Sequence, residues 1–100
     1  MTEDRSILSS FFSTVRFDHR LGATHVSVYM ALYAYWSQND FQSPLPITRQ
    51  EVMQAAKISG LATYHKCMRD LHAYGYIRYE PSFHPARHSQ VCLLQLQSHS

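Results

Sequence analysis

The stretch from Thr48 to Ile77 constrains the fold of this chain more than any other feature. Its apolar residues recur at helical spacing, break at Ser59 and Gly60, and then resume at spacings of three and four. That pattern predicts two amphipathic helices joined by a tight turn. Gly75 marks the end of the second helix, because glycine readily adopts the left-handed conformation with which many helices end.

The boundaries of these two helices have local sequence signals. Thr48 can cap the first helix, and Glu51 can bond back to the backbone N–H of the cap, which makes a capping box. Lys57 ends this helix, where a cation suits the negative end of the helix dipole. We expect Ser59 to cap the second helix. The buried stripe of that helix is predicted to be Leu61, Tyr64, Met68 and Leu71.

The spacing of apolar residues changes after Gly75. Residues 76–80 are rich in β-formers and predict a strand. Residues 90–97, QVCLLQLQ, predict a second strand, although a lone apolar run is equally compatible with a helix. Residues 81–89 contain two prolines among polar residues and predict a loop. Strand, basic loop and strand would together form a hairpin.

A further helix is predicted from Thr24, as its cap, to about Asn39. Its apolar side chains extend over several sides, which is typical of a helix buried on more than one side. We therefore expect the N-terminal segment (residues 1–23), a second subunit, or both to pack against this helix. The segment would use Phe11, Phe12, Val15 and Phe17. Residues 1–10 and 98–100 are expected to be frayed ends.

Together these elements resemble a known family. The text VSVYMALYAYW, then LPITRQEVMQAAKIS, then ATYHKCMRDLHAYGYIRYE is similar to small winged helix-turn-helix domains. Such domains occur in replication initiators and accessory proteins of plasmids, phages and transposons. The resemblance covers residues 24–96, about three quarters of the chain. It implies a mainly α fold with a small β-hairpin (α+β): a three-helix core plus a wing over residues 24–97, a short strand at residues 45–47, and a tail at 98–100.

The resemblance implies sequence-specific binding of double-stranded DNA. A recognition helix at about residues 60–74 would lie in the major groove, and the wing, residues 81–89, on the adjacent backbone or minor groove. The expected DNA-binding residues are Arg49, Gln50, Ser59, Ala62, Thr63, His65, Lys66, Arg69, His84, Arg87 and His88. The alternative for the charged helix residues is an ordinary solvated face, and for the wing a loop with incidental charge.

Individual roles follow from side-chain chemistry. Small Ala62 would let the helix approach closely, while His65 and Lys66 can donate to guanine N7 and O6 or to phosphates. Asp70 opposes binding unless Arg69 or a residue outside the helix pairs with it. Leu61 stands where the family often has a polar residue. It is either part of the core or an apolar contact for a thymine methyl group.

The composition argues against catalysis. The net charge of +2 and the pI of 8.7 give only weak support for nucleic acid. Among the seven histidines, His84 and His88 have a spacing with Cys92 that suggests a metal, but a loop does not hold that spacing fixed. With only three glycines, no glycine-rich phosphate loop is present. We expect no enzyme activity, no metal and no cofactor.

The expected partners are double-stranded DNA and a second copy, in a homodimer through the helix at 24–39 and the N-terminal segment. We expect no membrane partner, because no run approaches the ~18 apolar residues of a membrane span. We expect no small-molecule effector domain, because a hundred residues make only one domain. The expected location is the bacterial cytoplasm, in association with the nucleoid. The role would be transcription regulation, or accessory work in excision (DNA recombination) or replication of a mobile element. The alternative function is a protein-interaction module on the same scaffold.

Overall fold

The part of the chain that the structure, a computed structural model, describes is residues 2–82 and 88–96. Four helices and a three-stranded antiparallel sheet make up this part, an α+β arrangement. The helices are α1 (Thr2–Val15), α2 (Ala23–Gln38), α3 (Arg49–Ala56) and α4 (Leu61–Ala73). The strands are β1 (Leu45–Ile47), β2 (Ile77–Glu80) and β3 (Ser89–Leu93).

The capping box of α3 is confirmed. Thr48 Oγ1 accepts a hydrogen bond from the Glu51 N–H at 3.2 Å, and Glu51 Oε1 accepts one from the Thr48 N–H at 3.2 Å. Lys57 then ends the helix in the left-handed conformation, with φ of 63°. Gly75 also adopts the predicted left-handed conformation, with φ of 86°. These bonds within a few residues set the ends of the helix pair.

Two other predicted caps are wrong. The N-cap of α4 is Gly60 rather than Ser59, and no side chain caps this helix. The N-cap of α2 is Gly22 rather than Thr24. Its backbone N–H donates to Nδ1 of His25 at 3.0 Å. The side chain of a buried histidine in the first turn therefore binds the backbone of the cap residue, no cap side chain accepts an N–H of the first turn, and the helix begins slightly earlier than predicted.

The sheet has β3 at its centre, with β1 and β2 antiparallel on either side. Leu45 pairs with Val91, which confirms the short strand predicted at residues 45–47. Ile77 pairs with Leu93, where β3 ends, four residues before the predicted end. The partner strand limits its length: β2 begins at Ile77, and the pairing extends past Leu93 by one backbone bond, from the Leu94 N–H to the Tyr76 carbonyl at 3.1 Å.

The core lies between the helices and the sheet. Several side chains of α2 are buried, among them Val28, Tyr29 and Leu32, as the composition of this helix predicted. Helix α4 contributes Tyr64, Cys67, Met68 and Leu71. Leu61 does not belong to this set, because it is 43% exposed at the first position of the helix and at the margin of the buried face. Among the described residues, none of the helices has both the length and the apolar character of a membrane span.

The N-terminal segment is helical where a frayed end was expected. Phe11 of α1 is fully buried and stacks on Tyr29, with ring centroids 3.7 Å apart and planes 4° from parallel. It also meets Tyr76 edge to face at 5.5 Å. Terminal segments fray unless such contacts tie them down, so the expectation for residues 2–10 is wrong. By contrast, Phe12 and Phe17 are 43% and 69% exposed.

Candidate nucleic-acid interface

Helix α4 turns one side away from the core. Because its buried residues recur every three or four positions, the opposite side is a second stripe at the same spacing. The exposed residues of that stripe, here called the outward face, are Ala62, Lys66, Arg69 and Ala73. Two cations therefore lie between two alanines, whose short side chains leave the helix backbone approachable.

The N-terminal end of α4 is also exposed. Ser59 precedes the helix in the turn, and Thr63 lies at the margin of the outward face. His65, at the other margin, is half-buried with its ring 5.3 Å from that of Tyr64. Leu61 is a surface residue, so of the two alternatives for it, membership of the core is excluded. The first turn of α4 thus offers both polar and apolar side chains to solvent.

Lys66 is held by an acid one turn further along α4. Its Nζ donates to Asp70 Oδ2 at 2.7 Å, and the same oxygen lies 2.8 Å from Nε2 of His25. The Lys66 bond and then the His25 bond hold the pKa of Asp70 below its usual value, and the pKa of Lys66 is raised by the same pairing. Asp70 is therefore paired by Lys66 on its own helix, which neither alternative named, and by His25 outside the helix, as one alternative foresaw. Arg69 does not pair with it among the described residues.

His25 is the residue of this group that sequence reasoning missed. It is only 8% exposed, and its Nδ1 accepts the Gly22 N–H. Because a neutral imidazole has one donor and one acceptor nitrogen, Nε2 carries the proton and donates to Asp70. His25 and Asp70 are 45 positions apart, so no local pattern in the sequence connects them.

The first turn of α3 brings one cation near a residue of α4. Arg49 and Gln50 are both exposed there, and Arg49 is close enough to Tyr64 to oppose the rise that burial produces in the pKa of that tyrosine. The backbone N–H of Glu51 at this helix end is taken by Thr48 Oγ1, and the Glu51 carboxylate lies there as well. Contacts to phosphate would therefore come from the two side chains.

The hairpin is tied to the end of α4. His72 Nδ1 accepts the backbone N–H of Tyr79 in β2 at 3.0 Å, so the last turn of α4 and the first hairpin strand are joined. His88 is exposed just before β3. His84 and Arg87 lie outside the described residues, as do most positions of the predicted wing loop. His72 had no role in the sequence-based prediction, since its partner belongs to the strand.

The described residues contain no group of three or more histidine, cysteine, aspartate and glutamate side chains placed to hold a metal ion. Cys67 is buried and Cys92 is half-buried, and both are free. Burial raises the pKa of the Cys67 thiol, which disfavours the reactive thiolate. Neither a metal site nor a reactive thiolate at Cys67 is therefore indicated within the described residues.

No protein-family model matches the sequence, and neither a curated protein nor a solved structure matches it.

Proposed function

We propose that this chain is a module of the winged helix-turn-helix type that binds double-stranded DNA. The observation that carries the proposal is the outward face of α4, with Lys66 and Arg69 between Ala62 and Ala73. A helix of 13 residues is about 20 Å long at 1.5 Å per residue. It fits lengthwise into a major groove about 12 Å wide, where small side chains permit close approach.

The order of elements supports the same proposal. Helix α3 and helix α4 are joined by residues 57–60, and β2 follows α4 directly. In the proposed complex, Ser59, Ala62 and Thr63 at the start of α4 lie nearest the base edges, and Arg69 contacts phosphate. His72 holds the hairpin against the end of α4, so that the hairpin would lie over the adjacent backbone.

The biological role that fits a small module of this kind is transcription regulation, or an accessory function in replication or excision of a mobile element. This part of the proposal rests on the resemblance of the sequence to winged helix-turn-helix domains of such elements. A homodimer through α1 and α2 would present two copies of α4 to inverted half-sites about one helical turn apart.

A protein-interaction module is the second candidate function. The Lys66–Asp70 pair favours it, because it lowers the net positive charge of the outward face. So do Phe12 and Phe17, which are large apolar side chains on the surface. On this alternative, the N-terminal segment rather than α4 would be the contact surface.

Fluorescence anisotropy with random duplex DNA, at low and near-physiological salt, tests the first proposal. We expect binding that weakens steeply with salt, because neutralising phosphates releases counterions. The double variant Lys66→Ala/Arg69→Ala should weaken binding by at least about tenfold. Its circular-dichroism spectrum should be unchanged, since both side chains are exposed.

Arg16→Ala is the charge-matched control for Arg69→Ala. Arg16 is exposed after α1 and lies over the ring of Phe17, away from the helix pair in sequence. We expect Arg69→Ala to reduce the slope of log affinity against log salt by about one, and Arg16→Ala to leave it unchanged. A folded wild-type protein that fails to bind at low salt would contradict the proposal and favour a protein partner.

A further inference from the structure

The group formed by His25, Lys66 and Asp70, here called the Asp70 cluster, lies at the edge of the outward face. Its geometry is asymmetric. The Asp70 side chain is 19% exposed, whereas that of Lys66 is 65% exposed. The carboxylate is fixed from the core side by His25, which is itself held by the Gly22 N–H. The ammonium is therefore the partner that can leave.

We propose that Asp70 is a specificity-determining residue: it positions the Lys66 ammonium and competes with DNA phosphates for it. This inference rests on the proposed DNA-binding function. Within that function, an acid on the recognition helix weakens the binding that does not depend on the DNA sequence. Such a repulsive element raises discrimination by penalising the wrong contacts more than the right ones.

The discrimination follows from the charges of the competing acceptors. A phosphate that binds Lys66 must either displace the Asp70 carboxylate or lie beside it against its negative charge. Guanine N7 and O6 are neutral acceptors and do not meet that repulsion. An ammonium has three donors, so Lys66 can keep its bond to Asp70 and still donate to a base. The pair thus disfavours phosphate contacts more strongly than base contacts.

His25 distinguishes this pair from an ordinary surface ion pair. An isolated lysine–carboxylate pair four residues apart on a helix contributes little, because both side chains are free to move. Here the ring nitrogen of a buried residue holds the carboxylate before the lysine binds it. Arg69 has no ion-pair partner within the described residues, so it remains the cation of this face that is open to phosphate.

A double-mutant cycle tests the inference. Asp70→Asn keeps the size and an acceptor oxygen for His25 but removes the charge. We expect it to tighten binding to random duplex DNA by about five- to tenfold at low salt and to steepen the salt slope by about one, because Lys66 is released to a phosphate. In the Lys66→Ala background, the same substitution should change the affinity less than about twofold, because no ammonium remains to be released.

Several outcomes would overturn the inference, and they are distinct from failure of the proposed function. If the wild type binds and Asp70→Asn binds equally or more weakly, Asp70 does not restrain Lys66. If Asp70→Asn tightens binding as much without Lys66 as with it, the acid acts through its general charge and not through that lysine. If folded wild-type and Asp70→Asn proteins both fail to bind at low salt, the proposed function fails and the inference fails with it.

His25 provides a second readout in the same assay. His25→Gln retains a side-chain donor, whereas His25→Leu does not. We expect the salt slope of His25→Leu to move toward that of Asp70→Asn, and the slope of His25→Gln to stay near the wild type. A merely structural role for His25 would lower the thermal unfolding midpoint without changing the slope, and that result would contradict its part in positioning Asp70.

Discussion

Asp18 and Asp70 have similar partners but lie in two different regions of the molecule. Each carboxylate binds a nearby cation on its own segment and a ring-bearing side chain from a distant one. Asp18 accepts from Arg20 at 2.8 Å and from the Tyr76 hydroxyl at 2.7 Å. Asp70 binds Lys66 and His25 at 2.7 and 2.8 Å. In both places an acid joins local and long-range contacts.

The regions around Asp18 and Asp70 differ in how their cations are held. Arg20 binds both oxygens of Asp18 and also lies 3.9 Å over the ring of Tyr74. Its planar guanidinium makes both contacts at once, which an ammonium does less well. Lys66 has Asp70 as its ion-pair partner and extends into solvent. A carboxylate therefore holds its cation firmly where the cation has a second contact, as in the Asp18 clamp with Arg20. Where the cation has no second contact, as with Lys66, the cation can be released.

The largest effect should come from the aromatic contact beside the Asp18 clamp. Phe11→Ala should lower the free energy of unfolding by about 3–5 kcal/mol, because it removes a fully buried ring and leaves a cavity. Phe12→Ala, one residue further and 43% exposed, is the matched control and should cost less than about 1 kcal/mol. Urea unfolding measures both. Equal, small losses would mean that α1 does not belong to the cooperative core.

A smaller effect should come from the hydroxyl that reaches Asp18. Tyr76→Phe removes the 2.7 Å bond to Asp18 and should cost about 1 kcal/mol of stability. Tyr74→Phe keeps the ring beneath Arg20 and is the control, since the Tyr74 hydroxyl makes no hydrogen bond among the described residues. If Tyr76→Phe unfolds at the same urea concentration as the wild type, the hydrogen bond from Tyr76 to Asp18 does not stabilise the fold.

The smallest effect, and the sharpest comparison of the two acids, should be their pH dependence. Arg20, together with Tyr76, holds the pKa of Asp18 far below its usual value. A depressed folded-state pKa contributes stability that is fully present above the unfolded pKa, about 3.9, and is lost as the pH falls toward the folded pKa. The difference in stability between wild type and Asp18→Asn should therefore be constant at neutral pH and shrink below about pH 4.

Asp70 should show the same sign with a smaller amplitude. Its pKa is also lowered, first by Lys66, but that lysine is exposed and the pairing is screened by solvent. Urea unfolding of wild type, Asp18→Asn and Asp70→Asn across the acid range measures both differences. If the stability difference changes more with acid for Asp70→Asn than for Asp18→Asn, then Lys66, and not Arg20, is the more firmly held cation.

The local order of the chain was predictable because its signals act within a few residues. The capping box of Thr48 and Glu51, the left-handed Gly75 and the spacing of buried residues in α4 all follow from contacts inside one element. The expectation failed at residues 2–10, where order depends on the stacking of Phe11 against Tyr29. It failed at the end of β3 because the length of a strand depends on its partner.

The sequence by itself determined which side of α4 faces solvent, since helical periodicity is enough to place Ala62, Lys66 and Arg69 opposite the core. Helical spacing also places Lys66 one turn from Asp70. Only the tertiary structure decided which distant groups meet Asp70 and His72. The partner that fixes Asp70 comes from α2, and the backbone N–H that donates to His72 lies in the strand that follows α4. Periodicity reports the direction of a side chain along its own helix. It contains no information about groups that a distant element brings within hydrogen-bonding distance.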